Sequence, residues 1–265
     1  MSIFKSDVLA GRVALISGGG SGICKGIAQT FAAHGAKVAI TSRKLENLEA
    51  AAQEIRAAGG ECLPIAADVR DTAQVEAAIA QVVETYGHLD QVINGAAGNF
   101  LSPAATMSYN AFRTVIEIDT LGTFNVSKAA FESLMKSATD GRDPNIINIS
   151  ATLHYMGTPM QAHVSTAKAG IDAMMRSLAV EWGPMGIRVN NIAPGPIGDT
   201  EGMRRLAPGD VRASMEARIP LQRFGRIQEI ADMAVYLASP AATYITGAIF
   251  VVDGGHWFAT QGFSM

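Results

Sequence analysis

Near its amino terminus the chain reads Val13-Ala-Leu-Ile-Ser-Gly-Gly-Gly-Ser-Gly-Ile-Cys24, an apolar run that breaks into glycines and then becomes amphipathic. A short, continuous apolar run predicts a strand that is covered on both faces. The glycines allow the backbone to turn tightly and to approach a ligand where a Cβ atom would clash. Ile23, Ile27 and Phe31 then recur at helical spacing, which predicts a helix from Ile23 to His34.

A glycine loop between a strand and a helix is a typical anion site. The free N–H groups at the start of the helix point into the loop, where they favour a pyrophosphate. The spacing Gly18-x-x-x-Gly22-x-Cys24 differs from the G-x-G-x-x-G fingerprint, because a thiol stands at the third glycine position. We interpret Cys24 as a packing residue, since a thiol is small enough for close helix packing. The alternative is a redox-sensitive thiol at a helix N-terminus.

The rest of the chain keeps alternating between strand patterns and helix patterns. Further strands are predicted at 37–41, 61–66, 89–94, 145–150, 188–193 and 247–252. Further helices are predicted at 45–55, 75–83, 109–137 and 164–182. No linker, repeat or change of composition divides these elements. The alternation predicts a single α/β domain over residues 1–265, with one doubly wound, mainly parallel, seven-stranded sheet of Rossmann type and helices on both faces.

Composition restricts the class of protein. With 265 residues, of which 48% are hydrophobic, the chain can bury a large core, and its net charge of −3 gives no basic surface for nucleic acid or anionic membranes. No apolar run reaches membrane-spanning length, and no signal-peptide pattern is present. Cys24 and Cys62 are too far apart to predict a disulfide framework or a metal site. We therefore expect a cytoplasmic protein that binds small molecules and no metal.

The segment between Pro194 and Pro220 is rich in proline and glycine and has only weak periodicity. Long irregular segments inside a compact domain are usually functional. This segment leaves the carboxyl end of the predicted sixth strand, which is the edge where α/β sheets bind ligands. We predict a substrate lid at about residues 196–220.

The end of the predicted second strand indicates which cofactor is bound. It reads Thr41-Ser-Arg-Lys44 and lacks the acidic residue that usually binds the ribose 2′-hydroxyl of NAD. The guanidinium of Arg43 can instead bind a 2′-phosphate in bidentate fashion, which predicts NADP(H). The alternative is that Arg43 and Lys44 are solvated turn residues. Asp68 and Val69, at the end of the third strand, are candidates for contacts with adenine, although Asp68 can equally cap the next helix.

Several motifs together resemble the short-chain dehydrogenase/reductase family, over nearly the whole chain. They are Ser17-Gly-Gly-Gly-Ser-Gly22, Asn94-Gly-Ala-Ala-Gly98, Lys168 after the fifth strand, and Pro194-Gly195-Pro196. The resemblance implies a nicotinamide cofactor and a homotetramer. The candidate cofactor-binding residues are Ser17, Gly18, Gly20, Ser21, Gly22, Ile23, Ser42, Arg43, Lys44, Asp68, Val69, Ala96, Lys168, Pro194, Gly195 and Ile197.

The departures from the family pattern concern the catalytic residues. Members of the family typically use Asn, Ser, Tyr and Lys, with the Tyr four residues before the Lys. Here Val164, Ala151 and Asp119 stand at the Tyr, Ser and Asn positions, and only Lys168 is retained. Because both hydroxyl donors are absent, ordinary ketone reduction has lost the groups that bind the substrate oxygen.

Longer matches resemble the 2,4-dienoyl-CoA reductases, the peroxisomal branch in particular, which also lacks the Tyr and has an Asp at the Asn position. The matching stretches are 94–103, 119–125, 181–184 and 194–205. The resemblance implies NADPH-dependent reduction of a 2,4-dienoyl-CoA thioester to a 3-enoyl-CoA in unsaturated fatty-acid β-oxidation. Three alternatives stay open: a trans-2-enoyl-CoA reductase, a ketone-reducing enzyme that uses Tyr155, and a cofactor-binding protein without activity.

Asp119, Lys168 and His163 are the candidate catalytic residues. A carboxyl group in a dry crevice beside a nicotinamide can stay protonated near neutrality, so Asp119 is the predicted acid. The alternative is that it only replaces the family's Asn as a hydrogen-bonding group. His163 adjoins the vacant Tyr position, where it either orients water or the carboxyl group or is simply packed. The candidate substrate-binding residues are Asn99 and Phe100 for the acyl pocket and Arg204 and Arg205 for the phosphates of coenzyme A.

Overall fold

The computed structural model describes the backbone of residues 3–206 and 210–259, and the side chains of these residues except 204–206 and 210. A single seven-stranded sheet forms the centre of this structure. Its strands are β1 (Val13–Ser17), β2 (Lys37–Ser42), β3 (Glu61–Ala66), β4 (Gln91–Asn94), β5 (Asn145–Ile149), β6 (Arg188–Pro194) and β7 (Ile249–Val252). The spatial order is β3-β2-β1-β4-β5-β6-β7 and every pair is parallel, which confirms the predicted fold class.

Helices cover both faces of the sheet. In the described ranges they are α1 (Gly22–Ala33), α2 (Leu45–Ala57), α3 (Thr72–Tyr86), α4 (Tyr109–Ile116), α5 (Gly122–Thr139), α6 (Leu153–Met156), α7 (Ala162–Trp182), α8 (Glu201–Leu206), α9 (Asp210–Glu216) and α10 (Ile227–Ala238). Among them there is no helix whose length and apolar character would let it cross a membrane.

Alternating side chains of each strand enter two separate cores. In β1, Ala14 and Ile16 pack with α1, α2 and α10, whereas Val13 and Leu15 pack with α3, α5 and α7. All four side chains are at most 1% exposed. Because successive side chains of a strand point to opposite faces, a strand that is covered on both sides is apolar at every position. This is why the sequence pattern located the strands well.

The region after β6 is more helical than predicted. The expectation of an irregular segment between Pro194 and Pro220 is wrong at α8 and α9, which are both helical. These helices contribute Met203 and Met215 to a small cluster around Ile219 and Phe224. So few apolar residues, spaced irregularly, produce little periodicity in the sequence.

One turn of the long helix predicted at 109–137 is wider than an α-helical turn. The segment Glu117–Leu121, between α4 and α5, is π-helical and has Asp119 at its centre. Single π-helical turns within α-helices occur frequently at functional sites. A periodicity argument at 3.6 residues per turn could not locate this one.

Candidate active site

The loops after β1 and β4 are joined by backbone and side-chain contacts. Gly18 has a φ of +74°, and a Cβ atom on it would lie 2.9 Å from the carbonyl oxygen of Gly95. The Ser17 hydroxyl oxygen accepts hydrogen bonds from the N–H groups of Gly95 at 3.1 Å and Ala96 at 3.3 Å. The glycine loop therefore lies directly against the β4 loop at the point where the strand order reverses, which is the binding crevice of a doubly wound sheet.

Cys24 fills the space that Gly95 leaves open. A Cβ atom on Gly95 would lie 2.0 Å from the Cys24 sulfur, so the two residues are sterically complementary. Burial raises the pKa of the Cys24 thiol to about 12, and the nearby Lys168 ammonium only partly opposes this. A thiol that stays protonated is a poor redox sensor. The structure thus favours the packing interpretation of Cys24.

A cavity of about 220 Å³ opens beside the glycine loop. It is lined by nine of the predicted cofactor-binding residues: Gly18, Gly20, Ser21, Ser42, Arg43, Lys44, Asp68, Val69 and Ala96. Arg43 and Lys44 are exposed at its edge, and no acidic side chain of the β2 end lines it. Asn47, from the first turn of α2, also lines the cavity and was not predicted, because a polar residue in the first turn of a helix is ordinary.

The other predicted cofactor residues do not line this cavity. Ser17 is buried beneath the loop, Gly22 lines an adjacent cavity, and Ile23 packs against the core. Pro194 and Gly195 line a different and larger cavity, described below.

Ile197 is buried and pairs through its backbone with Gly225. The carboxylate of Asp68 is held by Arg70, whose hydrogen bond lowers the pKa of Asp68. The contact between Asp68 and adenine stays a prediction, and in the structure both carboxylate oxygens bind Arg70.

Asp119 and Lys168 form a buried charge pair at the crevice. The Asp119 side chain is 0% exposed, and its Oδ2 lies 3.1 Å from the Nζ of Lys168. Its Oδ1 accepts a hydrogen bond of 2.7 Å from the N–H of Gly98. The Lys168 ammonium also donates to the carbonyl oxygen of Ile149 at 3.0 Å. The π-helical turn thus places the carboxyl group between the β4 loop and α7. Oδ1 is hydrogen-bonded, whereas Oδ2 has the ion pair with Lys168 but no hydrogen bond of ordinary geometry among the described residues.

His163 lies close to this pair and is completely buried. Its ring stacks on Phe100, with ring centroids 4.2 Å apart. In the part of the chain that the structure describes, neither ring nitrogen makes a side-chain hydrogen bond of ordinary geometry. Desolvation lowers the pKa of His163, although the Phe100 backbone and the charge of Asp119 oppose this shift. A neutral imidazole therefore lies next to the charge pair.

A cavity of about 840 Å³ adjoins the site on the side of β6. Among its lining residues are four methionines, Met156, Met160, Met203 and Met215. Asn99 and Leu101 line it, whereas Phe100 does not and instead stacks on His163. The side chains of Arg204 and Arg205 lie outside the described residues.

The chain is similar to known proteins over almost its whole length. A family model described as enoyl-(acyl carrier protein) reductase matches residues 18–256. A short chain dehydrogenase from Bacillus anthracis, solved as a crystal structure, is 42% identical and has a TM-score of 0.84, with 95% of this chain and 98% of that chain covered. The chain belongs to the short-chain dehydrogenase/reductase family. Both the predicted family and the predicted oxidoreductase class are confirmed.

Two relatives refine the position within the short-chain dehydrogenase/reductase family. Proteins of Danio rerio and Pongo abelii are 48% and 49% identical, over 97% and 96% of this chain and 85% and 87% of theirs. Both are named peroxisomal 2,4-dienoyl-CoA reductase, (3E)-enoyl-CoA-producing. The predicted resemblance is confirmed. The expectation of a cytoplasmic protein is wrong, because these relatives point to a peroxisomal location.

The position of the family's tyrosine is filled by apolar packing. Val164 is 3% exposed and packs with Val115 and Ala167. Ala151, at the family's serine position, lines the large cavity. Neither side chain can donate a hydrogen bond to a substrate oxygen. The two hydroxyl donors of the short-chain dehydrogenase/reductase family are therefore absent from the site.

Tyr155 does not replace the missing tyrosine in this structure. Its hydroxyl donates a 2.8 Å hydrogen bond to Asp172. Burial raises the pKa of Tyr155, and the hydrogen bond to Asp172 raises it further. Sequence reasoning missed Asp172, which stands four residues after Lys168 and so on the same face of the helix. That spacing was the one available signal.

Proposed function

We propose that this protein is an NADPH-dependent 2,4-dienoyl-CoA reductase that forms 3-enoyl-CoA. The observation that carries the proposal is the buried pair of Asp119 and Lys168 in a site without the family's tyrosine and serine. Such a site has few donors for a ketone oxygen, but it has a charged proton donor beside a large cavity. The relatives that are 45–49% identical carry the same enzyme name.

The short-chain dehydrogenase/reductase fold implies a nicotinamide cofactor, and the residues of the crevice fit NADPH. The close contact at Gly18 leaves the loop without a side chain where a pyrophosphate has to approach the backbone. Arg43 and Lys44 stand exposed at the cavity edge, where they can bind a 2′-phosphate. The family resemblance implies that Lys168 would hold the ribose hydroxyls.

The large cavity fits an acyl chain. Its methionines are flexible and polarizable, so they can adapt to chains of different shape. Arg218, which also lines the cavity, provides a positive charge that can meet a phosphate of coenzyme A. The segment from about 196 to 220 supplies Met203, Met215 and Arg218, which supports its role as a substrate lid.

The proposed reaction needs one hydride and one proton. Bound NADPH would supply the hydride. Addition of the hydride to C5 of the 2,4-dienoyl thioester would leave a dienolate with charge on the thioester oxygen and on C2. Protonation at C2 leaves the double bond between C3 and C4. The protein must therefore stabilise the negative charge and deliver a proton.

We assign both tasks to the buried pair rather than to a carboxylic acid alone. Because Oδ1 of Asp119 accepts the Gly98 N–H and Oδ2 forms an ion pair with Lys168, we assign the delivered proton to the Lys168 ammonium. Asp119 holds that ammonium in place and balances its charge. His163, whose pKa burial lowers and whose ring nitrogens make no side-chain hydrogen bond of ordinary geometry among the described residues, can orient a water molecule between the pair and the substrate.

One panel of substrates tests the proposal. NADPH oxidation is measured with a 2,4-dienoyl-CoA, a trans-2-enoyl-CoA and several ketones, and the dienoyl product is identified by mass and double-bond position. We expect activity with the dienoyl thioester and formation of a 3-enoyl-CoA. Activity confined to ketones, or no oxidation with any substrate, would show the proposal to be wrong.

A trans-2-enoyl-CoA reductase is the second candidate, because the matching family model is described as an enoyl reductase. It would likewise lack the two hydroxyl donors and would use the same proton donor. It would differ in the carbon to which the hydride adds. Faster turnover of the 2-enoyl than of the 2,4-dienoyl thioester would favour it. We also propose a homotetramer from the family resemblance, which light scattering of the purified protein tests.

A further inference from the structure

Asp172 is the centre of a buried hydrogen-bond cluster that the proposed reaction does not use. Its side chain is 4% exposed. Four side chains donate to it at 2.7–2.8 Å, namely Ser150, His154, Tyr155 and Asn191. Burial alone raises the pKa of a carboxyl group, but these four donors together hold the pKa of Asp172 below its usual value. A fixed anion therefore lies behind the wall of the large cavity.

This anion is attached to the sheet through a row of asparagines. Asn94, Asn148 and Asn191 stand at matching register on β4, β5 and β6. The amide of Asn94 donates to Asn148, and the amide of Asn148 donates to Asn191, each at 2.9 Å. Asn191 donates in turn to Asp172 at 2.7 Å. Because the row crosses three strands, Asp172 is connected to the central strands of the sheet.

The short helix α6 depends on Asp172 for its position. It has four residues, which is too few for a helix to be stable without tertiary contacts, and no side chain caps its start. Its two central residues, His154 and Tyr155, bind Asp172. Its two outer residues, Leu153 and Met156, line the large cavity. The bonds to Asp172 therefore decide where this part of the cavity wall stands.

Tyr155 also connects this wall to another one. Its ring meets the ring of Trp257 edge-on, with centroids 5.4 Å apart. Trp257 follows β7 and lines the same cavity. Aromatic rings prefer this edge-to-face geometry, so the position of the Tyr155 ring affects the position of the Trp257 ring. The hydroxyl of Tyr155 thus fixes two walls of the cavity at once.

We propose that Asp172 is a positioning residue that fixes the acyl-binding walls and thereby sets which acyl chains the enzyme accepts. It reaches the substrate only through α6 and Trp257. The identity of the substrate rests on the proposed function. The inference predicts a change in the KM for the acyl thioester and in the preference for chain length, with kcat and cofactor binding retained.

The variant Tyr155→Phe tests this most sharply, because it keeps the ring and deletes only the hydroxyl. Steady-state kinetics are measured with dienoyl-CoA thioesters of short, medium and long chain, and the Kd for NADPH by fluorescence. Loss of a hydrogen bond to a charged group predicts a rise in KM of about fivefold or more, with a weaker preference among chains. We expect kcat and the NADPH Kd to stay within about twofold of the parent.

Two results with Tyr155→Phe would overturn the inference. A collapse of kcat with an unchanged KM would make Tyr155 a proton donor instead. Unchanged kinetics with every chain length would show that the hydroxyl does not position the wall. Since the ring is retained, this variant is expected to fold.

Asp172→Asn removes the charge itself and should raise the KM further. The matched control is Asp90→Asn, which changes another buried carboxylate that accepts hydrogen bonds from the Val13 N–H and the Ser137 hydroxyl at the opposite end of the sheet. We expect the control to lose stability but to keep the parent's chain-length preference. An equal change of preference in both variants would mean general destabilisation and would refute the inference.

A failure of the proposed function is distinguishable from a failure of this inference. If the parent protein does not oxidise NADPH with any dienoyl thioester, the proposed function is wrong. In that case the affinity for saturated acyl-CoAs of three chain lengths is measured by calorimetry, for both the parent and Tyr155→Phe. Equal affinities for all three chains in both proteins would refute the inference by itself.

Discussion

Replacing Asp119 by Asn separates a catalytic charge pair from a simple hydrogen-bonding group. The carboxyl group is fully buried. One of its oxygens accepts a hydrogen bond from the N–H of Gly98, and the other forms an ion pair with the ammonium of Lys168. Asparagine has the same shape but only one acceptor oxygen. If that oxygen serves Gly98, the amide NH2 faces the ammonium. If it serves the ammonium, two N–H donors face each other at Gly98.

The magnitude follows from this geometry. Removing one partner of a buried ion pair costs about 3–5 kcal/mol, because the remaining charge is left uncompensated. General acid–base catalysis contributes about 10²- to 10⁴-fold. We therefore expect Asp119→Asn to lower kcat by about three orders of magnitude, which corresponds to about 4 kcal/mol. The KM for NADPH should change much less than kcat.

The assay follows NADPH oxidation at saturating 2,4-dienoyl-CoA for Asp119→Asn, Lys168→Met and the double variant. Since the two side chains act as one unit, the double variant should be no slower than Lys168→Met alone. Circular dichroism establishes that each variant is folded at the assay temperature. If Asp119→Asn turns over at the parent rate, Asp119 only replaces the family's Asn and the reasoning fails.

Further predictions concern the crevice and the cofactor. Gly95→Ala should lower the free energy of unfolding in urea by about 1–3 kcal/mol. Adding Cys24→Ala should recover most of this loss, because the Cys24 sulfur is the atom that clashes. A double variant no more stable than Gly95→Ala would contradict this. Cys24 and Cys62, with pKa values raised by burial to about 12 and about 11, should resist iodoacetamide at pH 8 in the native protein and react in urea. Their folded pKa values lie above the ordinary 9.0, so this contribution to stability is complete below pH 9 and is lost as the pH rises toward 12 in a thermal-melt series. Arg43→Ala should raise the KM for NADPH about tenfold or more and leave that for NADH unchanged; equal effects on both cofactors would argue against a 2′-phosphate contact.

The sequence predicted the strands better than the helices. Every residue of β1 is buried because helices cover both faces of the sheet, so the apolar run itself marks the strand. α10 was not assigned, although Ile230, Ala231, Ala234 and Val235 are buried at helical spacing. The π-helical turn at Asp119 was not predicted, because a single helical period was assumed over the whole of 109–137.

The candidate site was predictable where it depends on sequence motifs and unpredictable where it depends on tertiary contacts. Asp119 and Lys168 were chosen from positions that the family uses and His163 because it adjoins the vacant tyrosine position, and the structure brings the three together. The partner of Tyr155 could not be derived, because its hydroxyl binds a carboxylate 17 positions later in the chain. The cavity wall at α6 has too few residues to show any period.

The loss of the tyrosine is built into the packing and is not an isolated substitution. Val164 closes a small cluster with Val115 and Ala167, so a tyrosine there would overfill a packed space. The phenol nearest in sequence, Tyr155, already serves Asp172. Neither the position of the family's tyrosine nor Tyr155 therefore offers a free phenol for a ketone oxygen. The buried pair of Asp119 and Lys168 can supply a proton to carbon without such a donor, and a conjugated thioester is the substrate class that requires this.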